Sequence, residues 1–312
     1  MLSETIILLI TVNLDSIFPR DEHTIMTQNS IKELLPSFMH SLEEKGRSPS
    51  TILAYRSDLE QLTTHLLDKS KVTPDQIKSE DVESFRDSLL NQKYTPKSVS
   101  RKLNAVKTFF RWMINEKHAS FDPSENVSHP KISPSIPKFL SPLEYRALRD
   151  VVRDDVRIAA IVELILQTGI RISEVANMKL ENVSPSELKI EKYATQPERL
   201  IPLNKPAQEA IRRYLEVRPE SDSKFVFVSK NGKPLAVRNI RAAVDRYFQK
   251  AEISDYSVND LRTTFIVENL KTGVDLILLS QVVGHKRLST TERYLELAKV
   301  TESGKKQSLE EL

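Results

Sequence analysis

Between Ser30 and Lys117 apolar residues recur at three- and four-residue steps, the spacing that puts them on one face of a helix. In "SIKELLPSFMHSLEEKG" the stripe is Ile31, Leu34, Leu35, Phe38 and Leu42, and Gly46 ends it. "SPSTILAYRSDLEQLTTHLL" opens on Ser48 before Pro49, a capping side chain followed by a proline whose missing N–H does no harm in a first turn. "SEDVESFRDSLLNQ" offers Ser79 as its cap, with acids in the first turn where the helix dipole favours them. "TPKSVSRKLNAVKTFFRWMINEK" repeats the cap-and-proline start at Thr95 and Pro96. These four segments predict a compact all-α domain over residues 26–120.

The pattern then stops. "FDPSENVSHPKISPSIPKFLS" has prolines at 123, 130, 134 and 137 and little periodicity, and residues 121–140 read as an extended linker. Helical text resumes with "SPLEYRALRD" and "DDVRIAAIVELILQTG", the second ending at a Gly169 cap. Two short strands, Leu188–Tyr193 and Arg199–Leu203, flank a polar turn, and "KFVFVSKNGKPL" offers a third strand with an Asn-Gly turn. Helices close the chain, and Ser289 with Glu292 has the spacing of a capping box that would start the last of them. The expected architecture is mainly α with a small β-sheet: a helical domain, a linker, a larger domain over 141–300 and a tail over 301–312.

The 312 residues suffice for two cores, and 39% apolar with 29% charged residues mark a globular chain. No cysteine is present, so disulfides, thiolate catalysis and cysteine-bound zinc are excluded, and a reducing cytoplasm suits the chain. The six histidines show no H-E-x-x-H spacing, so no metal site is expected. "TIILLITVNL" (Thr5–Leu14) is too short to span a bilayer, which takes about 20 residues, and it lacks the flanks of a signal peptide. Residues 1–25 read either as an upstream extension before Met26 or as an extra element packed on the body.

Net charge is only +3, so local charge matters more. From Lys93 to Lys117 seven basic residues face one acid, Glu116. Lys97, Arg101, Lys107 and Arg111 on this helix are the candidate phosphate contacts. A merely solvated basic face is an equal alternative.

Four further segments carry candidate chemistry. "TGIRISE" places Arg171 at a helix junction, where a planar fork can meet a phosphate; a structural ion pair with Glu174 is the plainer reading. The hairpin carries Lys189, Lys192 and Arg199, and a hairpin lysine is a candidate proton donor. "SVNDLRTTF" spaces Asn259 and Arg262 three apart on one helix. "VGHKRLSTTERYLEL" sets His285 nine residues before Tyr294.

The order Arg, Lys, x-x-Arg, Gly-His, Tyr resembles the tyrosine recombinase (phage integrase) family, most closely its Xer-type and integron-like members. The matching stretches are "TGIRISE", "ERLIPL", "NDLRTTF", "VGHKRLSTTERY" and "SPSTILAYRSDLEQL", and the likeness runs from Ile31 to about Lys299. It implies a two-domain, C-shaped DNA clamp, with a SAM-like helical core-binding domain and a recombinase catalytic domain. It implies that Tyr294 attacks a DNA phosphodiester to give a 3′-phosphotyrosyl intermediate. Arg171 and Arg262 would hold the non-bridging oxygens, and His285 would add a hydrogen bond. A lysine would protonate the departing 5′-oxygen. Neither metal, ATP nor another cofactor is implied. The implied partners are a double-stranded DNA site and further copies of the chain, four in a synapse, with no membrane. The tail, with Leu309 and Leu312, would dock on a neighbouring protomer or stay solvated.

Two positions depart from the family pattern. Asn259 stands where histidine is usual, so a hydrogen-bond donor remains but no proton shuttle. Ala194 stands at the usual lysine position, and Lys192, on the same face of the strand, is the nominee. A DNA-binding protein impaired at these two positions, and a type IB topoisomerase, are the alternative functions.

Overall fold

The structure, a computed structural model, describes residues 30–133, 136–193 and 196–303. The N-terminal extension, Ala194 and the tail leucines lie outside the described residues. The chain divides after Ser133 into two compact units.

The first unit holds α1 (Ile31–Glu44), α2 (Pro49–Leu67), α3 (Ser79–Asn91) and α4 (Pro96–Asn115). The expected caps act at Ser48 and Thr95, and Ser30 caps α1 in the same way, each accepting a backbone N–H from the first turn. The start of α3 differs. Lys78 is its N-cap, and the Lys78 backbone N–H donates to Asp81 Oδ2 at 2.9 Å, so Ser79 is already helical. An acid at the positive helix end thus replaces the expected serine cap. Every residue of the α1 stripe is buried, and Phe38, Phe109 and Trp112 pack ring on ring at 5.0–5.9 Å. Beyond α4 the chain still belongs to this core, because Ala119 and Val127 join it and Ser124 is fully buried.

The second unit begins with α5 (Pro142–Val152) and α6 (Val156–Thr168), joined by Asp155, whose side chain caps α6. Helix α6 is apolar nearly all round and packs against α8 (Lys205–Val217) and α10 (Val258–Lys271), as a central helix must. Between α6 and α8 lie α7 (Ile172–Ala176) and an antiparallel pair, β1 (Glu187–Ile190) and β2 (Arg199–Pro202). The register sets Ile190 opposite Arg199 and Glu187 opposite Pro202. Both strands are shorter than the sequence suggests, and Phe225 and Val228 make isolated bridges, to Lys179 and Pro234, rather than a third strand. Gly232 (φ +69°) does make the expected turn.

Helix α9 (Val237–Lys250) precedes α10, and α11 (Leu276–Val283), α12 (Leu288–Glu292) and α13 (Leu295–Ser303) follow. The Ser289–Glu292 capping box does not form. Arg287 is the N-cap of α12 and Thr290 N–H already donates to its carbonyl, so Ser289 lies within the helix. Tyr294 consequently occupies the break between α12 and α13 instead of a second helical turn. No helix among the described residues is long and apolar enough to cross a membrane.

Candidate active site

The site is built on the end of α11. A helix leaves its last carbonyls without intrahelical partners, and its C-terminus carries partial negative charge. Here three consecutive carbonyls each take a different guanidinium. Arg199 Nε donates to Val282 O at 2.8 Å, Arg262 Nη2 to Val283 O at 2.8 Å, and Arg171 Nη2 to Gly284 O at 2.6 Å. Arg262 also donates through Nη1 to Gly169 O. Three cations from β2, α10 and the start of α7 thus meet at one helix end.

Two glycines make this approach possible. Gly284 ends α11 at φ +69°, and a Cβ there would lie 2.9 Å from the Arg199 guanidinium. Gly169 ends α6 at φ +62°, with Phe265 where a Cβ would sit. Both positions therefore need glycine for conformation and for space.

One carboxylate balances the cluster. Glu174 accepts from Arg199 Nη1 and Nη2 at 2.9 and 2.8 Å, from Arg171 Nη1 at 3.0 Å and from the Arg171 backbone N–H at 2.8 Å. Burial raises its pKa, but the Arg199 hydrogen bond, the Arg171 backbone N–H and both positive charges outweigh that and hold it low. Three guanidiniums against one carboxylate leave two positive charges uncompensated in the cluster. Arg262 feels this directly. Burial, with repulsion from Arg171 and Arg199 against attraction from Glu174 and Tyr294, pushes it down to about 9, so it stays charged at neutral pH. A concentrated, rigid positive site of this kind is suited to an oxyanion such as phosphate.

His285 follows Gly284. Its backbone N–H donates to Ser280 O at 3.0 Å, and Nδ1 is hydrogen-bonded to Thr291 Oγ1 at 2.8 Å. Burial, then Arg262, Arg171 and Arg199, lower its pKa to about 4, so the imidazole is neutral at neutral pH. Nε2 makes no hydrogen bond to a described residue and keeps solvent access. The Tyr294 ring lies nearly parallel to the imidazole at 6.2 Å and packs against the small apolar cluster of Ile266, Leu279 and Val283. Its backbone N–H donates to Thr291 O at 3.0 Å. Its phenol oxygen has no hydrogen-bond partner among the described residues and is open to solvent. The structure therefore gathers Arg171, Arg262, His285 and Tyr294 in one place.

Other expected residues stand differently. Asn259 is exposed in the first turn of α10, its amide unbonded among the described residues. Lys192 is exposed and lines a cavity together with Arg171, Glu174, Lys189 and Gln196, whereas Lys189 is paired with Glu198 at 3.2 Å. In the first unit Lys97 is exposed and unpaired among the described residues. Arg101 is committed to Asp58 through both terminal nitrogens, a contact the sequence reading did not foresee. Lys107 donates to Glu125 O at 3.0 Å, and Arg111 to Lys107 O at 3.1 Å. No group of three His, Cys, Asp or Glu side chains among the described residues is placed to hold a metal ion.

Sequence reasoning names Arg199 only as a hairpin cation and Glu174 only as a partner of Arg171, and it does not single out Thr291 or the Glu174–Arg199 contact. Arg199 had a readable signal, since it lies two residues before buried Ile201 and so shares the inner face of the strand. Helix α9 is the expected helical segment "RNIRAAVDRYFQKA", and it exposes Arg238, Arg241, Arg246 and Lys250, a charge not singled out from the sequence.

The same residues lie within regions shared with known proteins. The phage integrase family matches residues 138–300, and its N-terminal SAM-like domain matches residues 35–117. The chain is 27% identical to tyrosine recombinase XerC of Roseiflexus castenholzii, over 86% of this chain and 90% of that one. It is 28% identical to tyrosine recombinase XerC of Staphylococcus haemolyticus, over 86% and 93%. The fold matches a lambda integrase dimer bound to a COC′ core site, with TM-score 0.68, 18% identity and coverage of 84% and 97%. It also matches a lambda integrase tetramer bound to a Holliday junction, with TM-score 0.69, 17% identity and coverage of 86% and 78%. With this architecture and this arrangement of Arg171, Arg262, His285 and Tyr294, the chain belongs to the phage integrase family.

Proposed function

We propose that the chain is a site-specific DNA recombinase in which Tyr294 is the nucleophile. The observation that carries this reading is the free phenol of Tyr294 beside three guanidiniums and a neutral histidine. A free tyrosine has a pKa near 10 and attacks poorly at neutral pH. Fixed positive charge lowers the cost of the phenolate and of the pentavalent phosphorus together. In the reaction the phenolate oxygen bonds to phosphorus and the bond to the 5′-oxygen breaks. The 5′-oxygen leaves with a proton, for which Lys192 is our nominee. The phosphotyrosyl bond keeps the phosphodiester energy, so the strands can be rejoined in a new pairing. Asn259 would contribute a hydrogen bond and no proton transfer.

The substrate is double-stranded DNA, and the working form is a homo-oligomer that reaches a tetramer in the synapse. The SAM-like unit grips DNA through α4, with Lys97, Lys107 and Arg111 as its phosphate contacts and Arg101 as a residue that stiffens the helix. Exposed arginines on α9 give the catalytic unit a basic surface of its own. A recombinase acting on DNA inside the cell would work in the cytoplasm, bound to the nucleoid when engaged.

The test uses the full chain with fragmented host DNA nicked at random, which traps cleavage because the short 5′ strand diffuses away. An SDS-stable protein–DNA complex that is lost in Tyr294→Phe supports the reading, and sequencing the trapped ends would give the site. DNA binding without any covalent product would instead indicate an impaired DNA-binding protein. Efficient relaxation of supercoiled plasmid lacking the trapped sequence would indicate a topoisomerase.

A further inference from the structure

Thr291 is fully buried in α12, and its hydroxyl has one hydrogen-bond partner among the described residues, Nδ1 of His285. A helical threonine usually turns its hydroxyl back to the carbonyl four residues earlier. Thr291 does not, although Thr263 and Thr264 of α10 both do. The 2.8 Å contact can be made in two ways. If Nδ1–H donated, the Thr291 hydroxyl proton would be buried without an acceptor, an arrangement native interiors avoid. If the hydroxyl donates, both groups are satisfied and Nδ1 acts as acceptor.

The imidazole carries a single proton at neutral pH, since burial and the charges of Arg262, Arg171 and Arg199 disfavour a second. Where that proton sits is set by the bond at the other nitrogen. We propose that Thr291 is a positioning residue: its hydroxyl donates to Nδ1 of His285, which fixes the imidazole proton on Nε2, the solvent-facing nitrogen that meets the DNA phosphate. This inference rests on the recombinase reading. It gives His285 the role of a neutral hydrogen-bond donor, and it assigns a function to a residue that touches neither DNA nor the nucleophile's oxygen. The Thr291 carbonyl also accepts the Tyr294 backbone N–H, so one residue ties the histidine ring to the backbone of the nucleophile.

The test compares the full-length wild-type chain with Thr291→Val, which keeps the shape and removes the hydroxyl, and Thr291→Ser, which keeps the hydroxyl. Histidine-selective nitrogen-15 labelling and long-range proton–nitrogen NMR identify the tautomer of His285. The same three proteins are timed in forming SDS-stable complexes with randomly nicked host DNA. The wild type and Thr291→Ser are expected to show the Nε2–H form and similar rates. Thr291→Val is expected to lose that form and to slow by about tenfold, the loss of one hydrogen bond to the transition state. An Nδ1–H tautomer in the wild type, or a Thr291→Val variant unchanged in tautomer or rate, overturns the inference and leaves the recombinase reading intact. A wild type with the Nε2–H tautomer but no covalent complex overturns the recombinase reading, and the proposed role of Thr291 falls with it.

Discussion

Each unit of the chain has a cluster of charge built around a buried carboxylate, and the two are built to different ends. In the helical unit Asp58 is 1% exposed and takes Arg101 and Lys102 as side-chain partners, with Lys102 Nζ at 2.8 Å. Lys102 is itself only 6% exposed and also lies 5.2 Å from the Tyr94 ring. That cluster is closed, and its cations serve the packing of α2 against α4. In the catalytic unit three guanidiniums share one carboxylate and are otherwise held by backbone carbonyls. Carbonyls fix the geometry of the guanidiniums without neutralising them. The first arrangement puts two cations on one carboxylate and leaves one positive charge, with Arg101 half-exposed, whereas the second leaves two positive charges for an incoming anion. Burial of a basic residue alone therefore does not distinguish structure from function; the identity of its acceptors does.

Removing the anchor of the closed cluster is the harshest way to break this comparison. Asp58→Ala leaves Lys102 buried without its partner and should destabilise the helical unit by about 3–5 kcal/mol in urea unfolding, while the pair Asp58→Leu with Lys102→Met should recover most of that loss. In the open cluster the cost should fall on chemistry. Arg262→Ala should slow covalent complex formation by about 10²–10³-fold, as loss of one oxyanion-stabilising group does, with a smaller change in thermal stability. A large loss of stability with unchanged rate would mean that the two clusters are of one kind.

Gly284→Ala sharpens the point with a smaller effect. The new methyl would strain the left-handed backbone and press on Arg199, costing about 1–3 kcal/mol in stability and weakening the site without deleting any charge. Calorimetry and the complex-formation rate together would show both. The smallest expected effect concerns acid. His285 is depressed to about 4 in the folded chain, so between its unfolded value near 6.5 and about 4 the unfolded chain binds the extra proton. Stability contributed by the neutral ring is present above that window and is lost as pH falls through it. The melting temperature of the wild type should therefore drop more steeply over this range than that of His285→Gln.

Most of the helices were legible because their signals are local. Ser48 and Thr95 cap within three residues of themselves, and Gly169 is a glycine directly after the last apolar turn of α6, where the structure has a left-handed cap. The candidate site was legible where a residue type and a chain order coincided, as for Arg171, Arg262, His285 and Tyr294. What joins these residues was not legible. Glu174 bridges Arg171 to an arginine 25 residues on, and the acceptors for the guanidiniums are carbonyls more than 80 residues away from Arg171 and Arg199. Backbone carbonyls carry no sequence signature. Local signals also misled at Ser289, where the spacing of a capping box was present but the helix had already begun at Leu288.

The central claim is that this open cluster serves Tyr294, and the most direct measurement is the identity of the residue that becomes joined to DNA. Trapped complexes would be digested with nuclease and protease, and the nucleotide-bearing peptide sequenced by mass spectrometry. The account predicts a nucleotide on the Tyr294 phenol in the wild type and none in Tyr294→Phe. A nucleotide on any other residue, or no adduct from DNA that the protein binds, would contradict it.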